Sequence, residues 1–247
     1  SNEKIIYIGE DMIDFHSHIL PRIDDGTRSI EQTIRMLKEA KEAGFTKIIS
    51  TSHYIEGYYE SDEAERTELL NEVQKNISGI ELYLGNEIYI TNNMINLIQN
   101  KKASTINNSK YVLFEFPLSA KSMNDKEVVY RLIENGFVPI IAHPERYSYV
   151  QDNPEYIEEL AEMGALFQAN YGSIIGMYGK KAEKTLKKLL KNDLIRFFGT
   201  DSHRIDQVYT KMPKILKKLH KFLSDEEIEE FTVINPQKVL NNEDIED

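Results

Sequence analysis

The sequence predicts an α/β fold in which seven parallel strands and their crossover helices form a closed barrel. Short runs of β-branched and aromatic residues alternate with longer segments of helical periodicity, as in consecutive strand–helix units. The strand segments are almost wholly apolar, which is typical of parallel strands covered on both faces. No glycine-rich dinucleotide-binding loop follows the first strand, and this favours a barrel over an open doubly wound sheet.

The elements follow one another in a regular order. Short apolar runs predict strands at residues 12–16, 47–53, 80–90, 111–116, 138–143, 165–170 and 195–200. Helical periodicity, with Ser29 and Asp62 at capping positions, predicts helices at residues 29–43, 62–76, 92–100, 125–135, 154–163, 174–191, 206–219 and 225–231. Because a helix follows each strand, neighbouring strands are expected to run parallel.

The composition indicates one globular domain. The chain has 247 residues, of which 40% are hydrophobic and 29% charged, and it shows no repeat or linker-like segment. We therefore expect a single domain over residues 1–247, with residues 1–11 as an N-terminal extension or tag remnant. No signal-peptide pattern and no apolar run of transmembrane length are present, which predicts a cytoplasmic protein that does not insert into membranes.

Cysteine content and net charge exclude some classes of chemistry. The chain contains no cysteine, so disulfides and thiolate nucleophiles are excluded, and a metal site has to use His, Asp and Glu. The formal net charge is −11, and the expected absence of a basic stripe disfavours binding to nucleic acid.

Metal-capable side chains are predicted to meet at one end of the barrel. In (β/α) barrels the chemistry lies at the C-terminal ends of the strands. Each predicted strand ends in a polar or metal-capable residue, Asn170 on the sixth, and five of the six histidines belong to this set. The metal-capable candidates at the strand ends are His16, His18, His53, Glu87, Glu115, His143, Asp201 and His203, and Asp24 and Asp25 follow the first strand on a loop.

Each of these residues alone has an ordinary structural explanation. A single His-x-His is as often coincidental as a ligand pair, and His53 alone is more often a hydrogen-bonded histidine. Glu87 and Glu115 stand in apolar runs, where burying a carboxylate costs several kcal/mol unless it is paired or binds a metal. Five histidines and four carboxylates cannot neutralise one another near pH 7. Nine ligands are too many for one ion, so two or three divalent cations are predicted.

Several motifs resemble one known family. The segments MIDFHSHILPRIDDG, YLGNEIYIT, PIIAHPERY and DSHRID are similar to those of the polymerase and histidinol phosphatase (PHP) family. More narrowly, they resemble the metal-dependent protein-tyrosine phosphatases of Gram-positive capsule and exopolysaccharide operons. The resemblance extends from Met12 to about Leu240 and implies a distorted seven-stranded, TIM-barrel-like (β/α) barrel with three metal ions.

The resemblance also implies how the ligands are shared. One ion would be held by His16, His18, Glu87 and Asp201, and a second by Glu87, Glu115 and His143. The third would be held by Asp25, His53 and His203. The ions are expected to be Mn²⁺, with Fe, Co and Zn left open because N/O sites accept all of them.

A phosphate-binding arginine is implied as well. In the family it stands in the H-x-E-R motif, here Arg146, for which a salt bridge to Glu145 or Glu87 is the structural alternative. A second family arginine is absent, because Val208 and Tyr209 occupy its region, and Arg204 or Lys211 could replace it. The general acid is predicted to be Asp201 or His203. Three tyrosines after the second strand could stack on a substrate ring or form a surface loop: Tyr54, Tyr58 and Tyr59.

These expectations add up to a functional hypothesis with alternatives. A metal-bridging hydroxide would hydrolyse phosphotyrosine without a phospho-enzyme, on the tail of a tyrosine kinase that governs polysaccharide export. Histidinol-phosphate phosphatase is the main alternative. A DNA-end exonuclease or phosphodiesterase and an inactive binding module are less favoured. The sequence does not predict the oligomeric state.

Overall fold

Nine parallel strands curl around one axis, and helices cover them, in a computed structural model that describes residues 9–245. The strands are β1 Met12–Ser17, β2 Phe45–Ser50, β3 His53–Tyr54, β4 Glu81–Leu84, β5 Glu87–Tyr89, β6 Tyr111–Glu115, β7 Val138–Ala142, β8 Leu166–Asn170 and β9 Phe197–Gly199. The helices are α1 Ile30–Glu42, α2 Glu63–Gln74, α3 Met94–Gln99, α4 Asp125–Glu134, α5 Ser148–Asp152, α6 Glu155–Glu162, α7 Lys180–Lys191, α8 Met212–Leu219, α9 Asp225–Glu229 and α10 Asn235–Leu240. The expected extension over residues 1–11 lies outside the described residues up to residue 8.

The nine strands occupy seven strand positions, because two of the predicted strands are interrupted. The predicted strand 47–53 is divided into β2 and β3, and 80–90 is divided into β4 and β5. Asn86 lies at the second break, where its Nδ2 donates to the Ser52 carbonyl at 2.8 Å and its Oδ1 accepts from the Ser104 amide at 2.7 Å. Backbone pairing continues across the breaks, because the Gly85 amide donates to the Ser50 carbonyl at 2.9 Å and the Glu87 amide donates to the Ser52 carbonyl at 3.0 Å.

The barrel closes between β1 and the segment that follows β9. The His18 amide donates to the Ser202 carbonyl at 2.9 Å, and the Asp201 amide donates to the His16 carbonyl at 2.7 Å. Gly199 permits this approach, since a Cβ there would lie 2.4 Å from the Cβ of His16. The predicted α/β barrel is therefore confirmed.

Most predicted helices are present, but two start later than predicted. Ser29 and Asp62 cap α1 and α2 by accepting from backbone amides three residues on, as their spacing predicts. The segment Tyr171–Ile175 forms a 3₁₀ turn, and Gly176 and Gly179 have positive φ, so α7 begins at Lys180 instead of residue 174. Likewise α8 begins at Met212 instead of residue 206.

The end of the barrel opposite the strand C-termini is closed by the last helix. Val239 and Leu240 of α10 belong to the same apolar cluster as Phe15, Leu113 and Phe197. Tyr111, the first residue of β6, donates from its hydroxyl to the Glu243 carbonyl at 2.5 Å. This packing leaves the other end of the barrel for the polar side chains.

The surface of the fold corrects one expectation. The chain was expected to have no basic stripe, yet exposed lysines line one face of α7 and one face of α8. The net charge of the whole chain conceals this local cluster because acidic residues elsewhere outnumber it. Within residues 9–245, no helix combines the length and the apolar character needed to cross a membrane.

Candidate metal centre

The structure brings all nine predicted metal-capable side chains to the C-terminal end of the strands. They lie within or directly after β1, β3, β5, β6, β7 and β9, apart from Asp25 in the loop that follows β1. Seven of them line a cavity of about 670 Å³. His16 and His18 lie below it and are fully buried.

Glu87 is the centre of the cluster. Its Oε1 lies 3.2 Å from Nε2 of His16, 3.4 Å from Nε2 of His18 and 3.1 Å from Nδ1 of His53. Its Oε2 lies 3.0 Å from Nε2 of His143. One fully buried carboxylate therefore faces histidines from three separate parts of the barrel, as expected of a ligand shared between ions.

Asp201 completes the first of three groups of side chains. Its Oδ1 lies 3.2 Å from Nε2 of His16 and 3.1 Å from Nε2 of His18. Together with Glu87, these residues offer ligand atoms within 4.8 Å of one another. This group has the same four members as the first expected ion site.

The other two groups differ slightly from the expected sets. His53, Glu87 and Glu115 form one group, and His18, Asp25, His53 and His203 form another. His143 lies beside the former, with its Nε2 3.7 Å from Oε2 of Glu115. His53 therefore lies between two groups, whereas the family resemblance implies one ion for it.

Neighbouring side chains orient two of the histidines. Nδ1 of His16 lies 2.7 Å from Oε1 of Gln168, and Nδ1 of His18 lies 2.9 Å from Oδ2 of Asp24. Both contacts leave Nε2 directed at the cluster, the usual arrangement around metal-binding histidines. The sequence reasoning missed Gln168, although a glutamine in an otherwise apolar strand is a usable signal.

The histidines and carboxylates of the cluster shift one another's pKa. Burial lowers the pKa of His16, but Glu87 and Asp201 outweigh this effect and raise the pKa to about 9. Burial alone would raise the pKa of Glu87, yet His16 and His53 hold it well below its usual value. Burial, followed by the charge of Glu87, raises the pKa of Glu115.

The donor set suits divalent transition metals. Oε1 of Glu87 and Nδ1 of His53 are buried and lie 3.1 Å apart, yet neither atom makes a hydrogen bond of good geometry within the described residues. A buried polar atom without a partner is costly, and a cation would satisfy both atoms at once. Imidazole nitrogens and carboxylate oxygens are ligands that Mn, Fe, Co and Zn accept.

Arg146 lies beside the cluster and lines the cavity. Its Nη1 donates to Oδ2 of Asp201 at 3.2 Å, and its Cζ lies 4.3 Å from the ring centroid of Tyr178. Glu145 instead accepts from Ser173 Oγ at 2.6 Å, so the structure shows no Arg146 salt bridge to Glu145. Sequence reasoning missed Tyr178, which holds the guanidinium by stacking.

The two candidates for a second phosphate-binding cation differ in their surroundings. Nζ of Lys211 donates to the carbonyls of Asp206 and Gln207, at 3.0 and 2.7 Å, so it is already engaged. Arg204 is exposed and lines a separate cleft on the other side of His203. Neither residue lines the main cavity.

Aromatic and apolar side chains surround the cavity mouth. A tight hairpin, in which Ile55 and Tyr59 exchange backbone hydrogen bonds of 2.9 Å, places Tyr58 and Tyr59 at the rim. The Tyr59 ring is parallel to the His53 ring, with centroids 6.1 Å apart. Tyr54, the third tyrosine of the predicted set, is buried and does not line the cavity. It is therefore not placed to stack on a substrate ring.

A (β/α) barrel with buried histidines and carboxylates at its C-terminal rim defines a class of protein, the metal-dependent hydrolases. The sequence model described as "Capsular polysaccharide synthesis, CpsB/CapC" matches residues 12–241. The chain therefore belongs to the CpsB/CapC family.

Individual relatives agree with this assignment. CapC from Staphylococcus aureus is 36% identical over 241 residues, which are 95% of this chain and 93% of CapC. The tyrosine-protein phosphatase YwqE from Bacillus subtilis is 33% identical over 198 residues, 78% of each chain. A chain from the crystal structures of B. subtilis YwqE and Streptococcus pneumoniae CpsB, described as metal-dependent tyrosine phosphatases, superposes with a TM-score of 0.87 at 30% identity. That comparison covers 95% of this chain and 96% of the other.

These findings confirm the family and the activity that the motifs predict. The chain is a metal-dependent tyrosine-protein phosphatase of capsular polysaccharide synthesis. The alternatives of a histidinol-phosphate phosphatase, a DNA-end exonuclease or phosphodiesterase and an inactive module are correspondingly disfavoured.

Proposed function

We propose that the nine clustered residues bind three divalent cations, most favourably Mn²⁺, and that phosphotyrosine on a protein substrate is hydrolysed above them. The ligands would be His16, His18, Asp25, His53, Glu87, Glu115, His143, Asp201 and His203. When bound, the ions would activate water and neutralise the charge that develops on the phosphoryl group.

The position of Glu87 is the observation that carries this proposal. Each of its two oxygens faces at least one histidine nitrogen at 3.0–3.4 Å, and the carboxylate is fully buried. A purely structural salt bridge does not require several histidines around one acid. A carboxylate shared between two cations would account for this geometry and for Oε1, which makes no hydrogen bond of good geometry among the described residues.

Arg146 would bind and orient the phosphoryl oxygens. Its guanidinium lines the cavity between Asp201 and the Tyr178 ring, and its side chain is 25% exposed, so part of it faces the space for substrate. Arginine binds phosphate through two parallel N–H donors, which fixes orientation as well as charge. The partner carboxylate keeps the side chain in place before substrate arrives.

Protonation of the leaving group is a modest requirement in this reaction. A phenol has a pKa of about 10 and leaves more readily than an alkanol. Asp201 is unsuited as general acid, because His16 and His18 overcome the effect of burial and hold its pKa well below the usual value. His203 is the remaining candidate of the two, but its Nδ1 lies 2.7 Å from the Asp201 carbonyl and its Nε2 faces Asp25, so it could protonate the phenolate only while it does not hold an ion.

The walls of the cavity suit an aromatic phosphate ester. Tyr58, Tyr59, Tyr89, Phe116 and Leu118 line it around the polar cluster. A phenyl ring between these side chains would gain apolar contact and aromatic packing. An alkyl phosphate such as phosphoserine has no ring to make these contacts.

The partner and the location of the enzyme are parts of the same proposal. Membership in a capsule-synthesis family of tyrosine phosphatases supports a phosphotyrosine-bearing protein as substrate. We assign this substrate to the tail of a bacterial tyrosine kinase, with the enzyme in the cytoplasm, as the resemblance of the motifs implies.

The decisive experiment measures phosphate release from three substrates by chelated protein during titration with Mn²⁺. The substrates are a phosphotyrosyl peptide, the same peptide with phosphoserine, and histidinol phosphate. We expect release that depends on Mn²⁺ and favours the phosphotyrosyl peptide. Metal binding is counted in parallel by calorimetry or elemental analysis, with three ions per chain expected.

Each departure from this result has a definite meaning. A preference for histidinol phosphate would reject the substrate but retain the metal centre. Release in the presence of chelator would reject the metal centre itself. Fewer than three bound ions at full activity would reject the proposed number of ions.

A further inference from the structure

Positive charge is concentrated in one part of this acidic chain. Residues 180–221 contain 13 Lys and Arg against 4 Asp and Glu, a net charge of +9, whereas the whole chain carries −11. Eleven of the 13 are lysines. This segment contains α7 and α8 together with β9, so the charge is a local property of two helices.

The lysines of α7 form a stripe opposite its buried side. Lys184, Lys188 and Lys191 are exposed and spaced four and three residues apart, so they lie on one face of the helix. The opposite face, which includes Leu186 and Leu189, is buried against the barrel. The stripe is therefore available to solvent along the helix.

Helix α8 and the turn after it extend this stripe. Lys214, Lys217 and Lys221 are exposed at the same kind of spacing, while Ile215 and Leu219 are buried. The two helices are in contact at their surface: Lys218 pairs with Glu183, and Nζ of Lys187 lies 5.3 Å from the Phe222 ring centroid. We call this surface, over residues 180–191 and 214–222, the lysine face.

Little of this charge is neutralised locally. Among residues 9–245, the ion pairs within 4 Å on the lysine face that involve lysine are those of Lys187 and Lys218, and both use Glu183. The exposed lysines at the other positions have no acidic partner at that distance in the described chain. Phe222, 43% exposed, places an apolar ring among them.

We propose that the lysine face binds the surface of an anionic lipid bilayer. Clusters of four to eight lysines on amphipathic helices are attracted to anionic headgroups, and each lysine adds to the attraction. The exposed Phe222 ring supplies an apolar group able to enter the headgroup region. Binding of this kind is peripheral and requires no membrane-spanning helix.

The details of the surface favour lipid over other anionic partners. The exposed cationic groups of the lysine face are all lysines, which act as point charges and lack the planar fork that arginine uses for specific phosphate or carboxylate recognition. The exposed lysines of α7 and α8 line neither the main cavity nor the cleft beside Arg204.

The position of the lysine face leaves the catalytic cavity open. Helix α7 connects two parallel strands, so it runs back from the C-terminal rim along the outside of the barrel. Its exposed lysines are absent from the lining of the cavity. A bilayer bound along this wall would hold the cavity beside the membrane surface and accessible from the side.

The test measures co-sedimentation of the full chain with vesicles of phosphatidylglycerol in phosphatidylcholine, and with pure phosphatidylcholine vesicles. We expect binding to the anionic vesicles only. Raising the ionic strength from about 0.1 M to about 1 M, which shortens the Debye length from about 10 to about 3 Å, should abolish it. A five-site variant should lose at least about tenfold in affinity: Lys184→Gln, Lys188→Gln, Lys191→Gln, Lys214→Gln and Lys217→Gln.

A matched control removes five exposed cations elsewhere: Arg35→Gln, Lys38→Gln, Lys75→Gln, Lys102→Gln and Arg131→Gln. It should bind vesicles as the wild type does, and both variants should retain wild-type turnover of a soluble aryl phosphate. Equal loss in both variants would overturn the proposal, since net charge alone would then explain binding. So would equal binding to phosphatidylcholine, or binding to duplex DNA or poly-glutamate without binding to anionic vesicles.

Discussion

At the scale of single residues, Glu87 concentrates the chemistry of the site. Its two oxygens face four histidines, and its negative charge raises the pKa of both His16 and Glu115. Asp201 holds a similar position at the edge of the cluster and also accepts from Arg146. These two carboxylates link the metal-binding role to the substrate-binding role.

Replacing Glu87 should test the shared-ligand role directly. Glu87→Gln keeps the shape of the side chain but removes its charge and one acceptor, so we expect at least about a hundredfold loss in kcat/KM. Metal content should fall in the same variant. Glu68→Gln, an exposed site on α2, is the control and should match the wild type. Full metal content and full activity in Glu87→Gln would contradict the assignment.

Arg146→Lys should separate charge from geometry. Lysine keeps the positive charge but loses the planar group that stacks on Tyr178 and binds phosphate with two donors. We expect kcat/KM for a phosphotyrosyl peptide to fall about 10- to 100-fold, which corresponds to about 1.4–2.8 kcal/mol. Arg196→Lys, which alters a pair with the exposed Asp193, should have no comparable effect. An unchanged kcat/KM would remove Arg146 from phosphate binding.

At the scale of elements, the strand ends were predictable and the breaks between strands were not. A run of apolar residues that ends in His or Glu marks the C-terminal end of a strand, where the catalytic rim lies. This local pattern was sufficient to identify Glu115 and His143 as candidates. The division of 80–90 depends on Asn86, whose partners Ser52 and Ser104 are distant in sequence. A local pattern contains no information about such contacts.

The same limit applies to the candidate site. The strand-end pattern provided eight of the nine candidate ligands, the resemblance added Asp25 and Arg146, and the structure brings them together. Gln168 and Tyr178, which orient His16 and Arg146, were missed because their role depends on packing between elements. The lysine stripe was visible in the sequence, but the net charge obscured it.

The closure of the barrel depends on a buried polar contact between elements. Asp14 of β1 is fully buried and accepts from the Thr200 amide at 2.8 Å and from the Tyr209 hydroxyl at 2.6 Å. Burial raises the pKa of Asp14, and the hydrogen bonds from Thr200 and Tyr209 oppose that rise. The contact joins the first strand to the segment after the last one.

Tyr209→Phe should therefore destabilise the fold. In this variant the buried Oδ2 of Asp14 loses one of its hydrogen-bond donors. We expect the free energy of unfolding to fall by about 1–3 kcal/mol. For a chain of this size each kcal/mol lowers Tm by roughly 2–4 °C, measurable by thermal unfolding. Tyr130→Phe, at an exposed site on α4, should leave Tm unchanged. Equal Tm values for the two variants would show that the contact contributes nothing to closure.

At the scale of the whole molecule, charge is arranged in two opposing regions. Acidic groups gather at the rim and over much of the surface, while the lysine face lies on one side wall. Bound cations would relieve repulsion among the rim carboxylates. The fold and the metals are thus expected to stabilise each other.

Thermal unfolding with and without metal should show this coupling. A ligand that binds only the folded state, at a free concentration about 100 times its Kd, adds about 2.7 kcal/mol to the free energy of unfolding. We expect Mn²⁺ to raise Tm of the chelated protein by roughly 5–10 °C. Glu87→Gln should show a smaller rise, and an equal rise in that variant would point to metal binding elsewhere.

Closure between β1 and the segment after β9 has a consequence for the newly made chain. His16 and Asp201 come from opposite ends of the sequence and meet only when the Asp201 amide reaches the His16 carbonyl. During synthesis, a chain that lacks its last quarter has most of the histidines but no complete first ion site. We therefore expect phosphatase activity to appear only after the last quarter of the chain has been made and the barrel has closed, and incomplete chains to lack it.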